Sequence, residues 1–253
     1  MFFYTKDSIP EGFGFSTFGL THLIWLFFIA VFIAVGIVFY RKADTRVRNI
    51  IRTALGWTIL VNEILKNIVV AVIGEFEAGY LPFHLCGINL LLIGFDMFKQ
   101  SNTVRNFLYY FCIPGALLAV LFPNWTALPG INFFCIHSFT IHAMLFLYPL
   151  LLVTSGELIP SIKMMPKCIL LLVAMTIPIY FMNLLWDTNF MFLMEPETGN
   201  PLGFFEKYLG SHLWGFPILL PIVMFIMYIP IHISSKHKNK SVEVNKDKQE
   251  VTV

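Results

Sequence analysis

The sequence predicts an all-α polytopic membrane bundle of seven transmembrane helices, with the N-terminus outside and the C-terminus in the cytoplasm. Seven apolar stretches lie close to the roughly 20 residues a helix needs to cross the hydrocarbon. The 253-residue chain is 57% hydrophobic and only 13% charged, with a mean hydropathy of +0.75, whereas ordinary soluble domains carry about 25% charged residues. Spans and short connections nearly use up the chain, so no separate soluble domain fits. Fourteen of the seventeen cations fall on alternate connections, the pattern expected of cytoplasmic loops.

An outer segment, 1–17, precedes the first span. It lacks a basic n-region and a small-residue cleavage site, and Lys6 is followed by Asp7 and Glu11. The apolar run 18–40 therefore reads as a retained helix and not as a signal peptide. Arg41, Lys42, Arg46, Arg48 and Arg52 follow it, placing this connection inside. Span 2 (50–74) returns to an outer turn marked by Glu75 and Glu77. Span 3 (80–98) ends at Lys99 and Arg105, again inside. Spans 4 (104–122) and 5 (131–153) form the next pair, and Lys163 and Lys167 follow span 5.

Span 6 (168–186) leads into the one long connection, 187–212. Its Met191-Phe192-Leu193-Met194 run is apolar enough to lie on the membrane or to cover a cavity. Span 7 (213–234) closes the membrane domain, 18–234. The remaining 235–253 is rich in Lys, Glu and Asn without apolar periodicity and reads as a disordered cytoplasmic tail. Because the cations lie on one membrane face, the formal charge of +2 does not indicate nucleic-acid binding.

Function is sought among ionisable groups inside the spans, which are costly in lipid and tend to face an interior cavity. They are Glu63, Lys66, His84, Cys86, His137 and His142. Counted from the outer ends of spans 3 and 5, Cys86 and His137 lie at matching depths of about 9 Å at 1.5 Å per residue. An imidazole that accepts a thiol's proton is the usual way to activate it, so this pair is suited to forming and breaking a thioester. Cys112, Cys135 and Cys168 read as small apolar fillers. The four cysteines have no CxxC spacing and give no disulfide framework.

Glu63 and Lys66, three residues apart on one helix face, form a structural ion pair. Asn89 and Asn183 are candidates for holding a lipid headgroup or carbonyl, beside the commoner use of such residues in bonds between helices. His84 points away from Cys86 on a regular helix. His142 lies about 140° round the helix from His137 and serves a different environment. No HxxxH or HExxH spacing is present, and no metal site or cofactor is expected.

Three motifs resemble a known family. Leu81-Pro82-Phe83-His84-Leu85-Cys86, then Phe133-Phe134-Cys135-Ile136-His137-Ser138, then Asn189-Phe190-Met191-Phe192-Leu193 with Pro196-Glu197-Thr198 resemble the YwaF-like bacterial membrane proteins, relatives of the eukaryotic transmembrane protein 164 acyltransferases. The resemblance runs from span 1 to span 7 and omits the tail. It implies a bacterial cell-membrane protein and acyl transfer between phospholipids, with Cys86 and His137 at the matching positions.

The resulting expectation is a lipid acyltransferase with a Cys/His site in the outer half of the membrane. Phospholipid or lysophospholipid is its substrate and no cofactor is required. Glu63, Lys66, Asn89 and Asn183 bind substrate or support the site. The alternatives are a transporter or lipid-binding protein using the same polar residues, or a lipid ester hydrolase using the same pair. Acyl donor, acceptor and oligomeric state are not readable from the residues.

Overall fold

The computed structural model describes residues 1–196 and 202–250, with side chains through Ile233. All regular structure among them is helical. In chain order it comprises α1 (Leu20–Lys42), α2 (Thr45–Val72), α3 (Leu85–Lys99), α4 (Asn102–Phe107), α5 (Ile113–Leu121), α6 (Phe133–Thr154), α7 (Met165–Trp186), α8 (Leu202–Leu209) and α9 (Gly215–Glu250). A π-helical turn, Leu108–Cys112, joins α4 to α5. It lies just before Pro114, which has no N–H to continue a regular ladder.

Among the described residues, six stretches are long and apolar enough to cross a membrane: Leu20–Lys42, Thr45–Val72, Asn102–Leu121, Phe133–Thr154, Ile162–Trp186 and His212–Ile233. Each matches a predicted span. The predicted third span, 80–98, differs. Its helix α3 has 15 residues, about 22 Å at 1.5 Å per residue, short of the roughly 30 Å hydrocarbon core. Pro82 disfavours helical geometry at the residue before it. Leu81 is extended at φ −66° and ψ 150°, and His84 is extended at the N-cap.

α6 is the central helix and packs on α1, α2, α3 and α5. Its buried residues lie on every side, including Phe134, Phe139, Ile141, Leu145 and Leu152, as expected of a helix enclosed by others. The outer helices reverse that pattern. Phe27, Phe28 and Phe39 on α1, Leu170 and Leu185 on α7, and Phe225 on α9 are exposed, which suits a lipid solvent.

Hydrogen bonds define one end of the bundle. Asn132 caps α6 by accepting from Phe134 N (2.8 Å), while its amide donates to the Met1 and Tyr4 carbonyls at 3.0 and 2.9 Å. Thr5 Oγ1 donates to Glu75 Oε2, and Phe15 N donates to Thr126 O at 2.9 Å. The N-terminal segment is thereby strapped across the 73–84 and 122–132 connections.

The other end is built from ion pairs. Arg52 reaches Glu157 at 2.8 Å. Arg105 Nε donates to both oxygens of the fully buried Asp96, at 2.9 and 3.1 Å, and Tyr148 Oη donates to Asp96 Oδ2 at 3.1 Å. Asn106 Oδ1 accepts from Ser161 N at 2.9 Å. The helical backbone of α9 continues to Glu250, through most of the tail whose composition predicts disorder. After Pro230 that stretch has no Gly or Pro and many Lys, Glu and Gln, all good helix formers. Residues 251–253 lie outside the described residues.

The inner cluster yields a stability prediction. Removing one partner of a buried ion pair leaves an uncompensated charge, so Arg105→Ala is expected to cost about 3–5 kcal/mol. Tyr148→Phe removes one hydrogen bond and is expected to cost about 1 kcal/mol. Unfolding in mild detergent would order the variants, with Arg105→Ala well below Tyr148→Phe.

Candidate functional site

The late start of α3 decides where Cys86 sits. Instead of lying a third of the way down a regular span, it is the second residue of a helix that follows a turn, in which Phe83 N donates to Leu81 O at 2.8 Å. Backbone N–H groups in a first turn have no intrahelical partners and can receive negative charge. Gly87 holds this turn against the preceding segment, since an added Cβ there would collide with the Pro82 backbone. Cys112, Cys135 and Cys168 are buried, whereas Cys86 is partly exposed. Partial exposure is the ordinary condition of a reactive thiol.

Glu63, Lys66, Asn67 and His137 form one cluster between α2 and α6. Lys66 Nζ lies 2.5 Å from Glu63 Oε1, the ion pair anticipated from the i,i+3 spacing, and also donates to Tyr80 O at 3.0 Å. Asn67 Nδ2 donates to Glu63 O at 2.9 Å and approaches Oε1 at 3.3 Å. His137 Nε2 lies 3.4 Å from Glu63 Oε2, close enough for an ion pair but outside hydrogen-bond geometry. Glu63 and His137 are both more than nine-tenths buried.

The nearest ionisable partner of His137 is thus Glu63, and no hydrogen bond joins it to Cys86 among the described residues. Cys86 is within electrostatic reach of the same carboxylate. Asn89, on α3, is 1% exposed, and its Oδ1 has no hydrogen-bond partner.

The connection after α7 is a knot tied by two asparagines. Asn183 Oδ1 accepts from Phe190 N (2.8 Å) and Thr188 Oγ1 (2.9 Å), while Nδ2 donates to Phe190 O at 3.0 Å. Asn189 Oδ1 accepts from Met194 N (3.1 Å) and Glu195 N (3.3 Å). Between them Met191 and Phe192 adopt φ of 59° and 56°, a left-handed conformation that costs a non-glycine residue of order 1–3 kcal/mol. His84 holds the knot to α3: its Nδ1 accepts from Met191 N at 3.3 Å, and Phe190 and Phe192 pack on its ring.

Two cavities flank the start of α3. A pocket of about 430 Å³ is lined by Gly79, His84, Asn189, Phe190, Phe192, Glu195 and Pro196. A groove of about 450 Å³ between α2 and α3 is walled by apolar residues including Leu60, Ile64, Ile68, Pro82 and Leu91, with Glu63 and Asn67 as its polar members.

The structure therefore gathers Glu63, Lys66 and His137 and leaves Asn183 to support the loop. His142 belongs elsewhere, with Nδ1 2.7 Å from Ser138 O and its ring stacked on Trp125. Two contributors were missed in the sequence. Gly87 follows Cys86 directly, and a glycine in a helical first turn is a signal of close backbone approach. His84 was read on a regular helix and so was turned from its real partner, the 190–192 turn. Glu197 and Thr198 of the third motif, with Gly199, lie outside the described residues.

Comparison with known proteins supplies the remaining fact. No curated protein and no solved structure matches the chain. A family model described as the TMEM164 family matches residues 17–228, from just before α1 into α9, and includes every site residue described above. With its six membrane-length apolar helices, the chain is an integral multi-pass membrane protein, and it belongs to the TMEM164 family.

Proposed function

We propose that this protein is a lipid acyltransferase of a bacterial cell membrane, with Cys86 as the nucleophile and His137 as the proton carrier. The observation that carries the reading is the setting of the turn that bears Cys86. The one partly exposed cysteine lies in the first turn of α3, and its neighbours His84 and Pro82 line, respectively, a pocket with polar groups and an apolar groove. A phospholipid has that same division, with a polar headgroup at one end of an ester and an acyl chain at the other. The similarity of its motifs to the eukaryotic acyltransferase branch points to the same chemistry.

In the first half-reaction His137 takes the Cys86 proton as sulfur attacks the ester carbonyl. The carbon–oxygen bond breaks and the lysolipid alkoxide takes that proton back, leaving an acyl thioester. In the second, an acceptor hydroxyl gives its proton to His137, attacks the thioester and releases the thiol. Water as acceptor would make the protein a hydrolase, so a dry groove favours transfer. The apo pair requires closer approach for proton transfer, and such contacts commonly tighten only with substrate bound.

Seven crossings with an outer N-terminus fit this chemistry. The 3-10 turn Ala78–Tyr80 and the bent segment 81–84 bring the chain to the roughly 22 Å of α3, and together they would make the third crossing. Arg41, Lys42, Arg46, Lys99 and Lys163 then lie inside, as the charge rule requires. In a Cys86→Ala background, membrane-impermeant maleimide should label Lys207→Cys on intact cells and Arg46→Cys only after lysis. Labelling of both from one side would contradict this topology.

For the chemistry, protein reconstituted with labelled phospholipid and a lysolipid acceptor should move acyl chains. Cys86→Ala and His137→Ala should each lower turnover by at least about a hundredfold, and their combination should be little worse, since groups acting as one unit are strongly non-additive. Cys112→Ala and Cys168→Ala should retain most activity. Full activity in Cys86→Ala would exclude covalent catalysis. Collapse of a solute gradient without acyl movement would instead identify a transporter.

A further inference from the structure

We propose that Glu63 is a positioning residue that orients His137, and that Lys66 couples this alignment to the turn carrying Cys86. The inference rests on the acyl-transfer reading and assigns the carboxylate a task beyond neutralising a lysine. Glu63 Oε1 is occupied by Lys66 at 2.5 Å and Asn67 at 3.3 Å. Its other oxygen faces His137 Nε2 at 3.4 Å. That nitrogen is buried and has no hydrogen-bond partner, so the carboxylate is the group at hand to receive its proton.

The contact settles which ring nitrogen does what. A carboxylate next to Nε2 favours the tautomer protonated there and leaves Nδ1 as the base, because the partner of one ring nitrogen selects the role of the other. It also stabilises the imidazolium formed when the thiol gives up its proton. A bare Glu63–Lys66 pair would need no imidazole beside it, and an apolar residue at 137 would serve as well.

Lys66 extends the arrangement to the nucleophile. Its second bond is to Tyr80 O at 3.0 Å, and Tyr80 directly precedes the 81–84 turn whose Pro82 backbone is packed under Gly87. One ammonium thus ties the carboxylate that aims the base to the chain that places the thiol. Glu63 and Asn67 also line the apolar groove, which sets the carboxylate beside the path proposed for the acyl chain.

Two opposite signs separate this role from simple proximity. Cys86 is within electrostatic reach of Glu63, and a carboxylate acting on the thiol alone would repel its thiolate, so neutralising it would speed alkylation. A carboxylate acting through His137 supports thiolate formation, so neutralising it would slow alkylation. The test measures iodoacetamide modification of Cys86, read on its own peptide by mass spectrometry, in bilayer-reconstituted wild type, Glu63→Gln, His137→Ala and the double variant, with acyl transfer measured in parallel.

Glu63→Gln should slow both Cys86 alkylation and transfer by about 10–100-fold, the range typical of groups that orient a functional histidine, with kcat falling and KM little changed. In the His137→Ala background the same substitution should change alkylation less than about twofold. Glu63→Asp, which keeps the charge, should recover part of the loss, and it carries the same cycle should Glu63→Gln fail to fold. Faster alkylation in Glu63→Gln, or an equal slowing with and without His137, overturns the proposal. A wild type that moves no acyl chain sinks the transfer reading alone, because the alkylation cycle still reports whether Glu63 reaches Cys86 through His137.

Discussion

Glu63 is a carboxylate placed inside a bundle whose outward faces are apolar, and an ionised group in that position must be compensated at close range. Lys66, one helical turn on, supplies the charge at 2.5 Å. The same lysine binds Tyr80 O, just before the turn that delays the start of α3. Pro82 lies in that turn, Gly87 packs on its backbone, and Cys86 is the second residue of the helix. The neutralisation of one buried charge and the placing of the thiol therefore share a support.

The ion pairs of the bundle fall into two clusters, and His142, at a depth between them, is bonded to Ser138 O and stacked on Trp125. Glu63, Lys66, Asn67 and His137 lie toward the end strapped by the N-terminal segment, and Asp96, Arg105 and Tyr148, with Arg52 and Glu157, lie toward the other. Between them α6 turns Ile141, Ala143, Met144 and Leu145 into the core. A transport path would be served by polar groups at these depths. The separation favours a one-sided pocket with a structural lock beneath it, where paired charges hold the helix ends in register.

Much of this was legible in the residues. Apolar run length located the six membrane-length helices, because the bilayer imposes a length that composition reports directly. The Glu63–Lys66 pair followed from helical spacing; Cys86 was singled out by the depth count it shares with His137, since Cys135 stands in a motif as well. What was not legible depends on irregular backbone. The depth count for Cys86 assumed helix from residue 80, while Pro82 and the Tyr80 carbonyl bond move the helix start to Leu85. The alignment of His137 on Glu63 crosses from α6 to α2, and helical spacing carries no information about which faces of two helices meet. The left-handed Met191 and Phe192 are residues that rarely adopt that conformation. Only the bonds from Asn183, Asn189 and His84 explain them, and those bonds are tertiary.

Strain in that loop and order at the start of α3 belong to one assembly. His84 stands at the N-cap of the thiol-bearing helix and accepts from Met191, so the knot and Cys86 share a support. The central claim is that an acyl group passes through the Cys86 sulfur. The most direct measurement is peptide mass spectrometry of protein recovered from its native membrane and quenched in acid. The account predicts a fatty acyl mass on the Cys86 peptide, released by neutral hydroxylamine as a thioester is. An unmodified Cys86 peptide, in protein shown in the same preparation to be moving acyl chains, would contradict it.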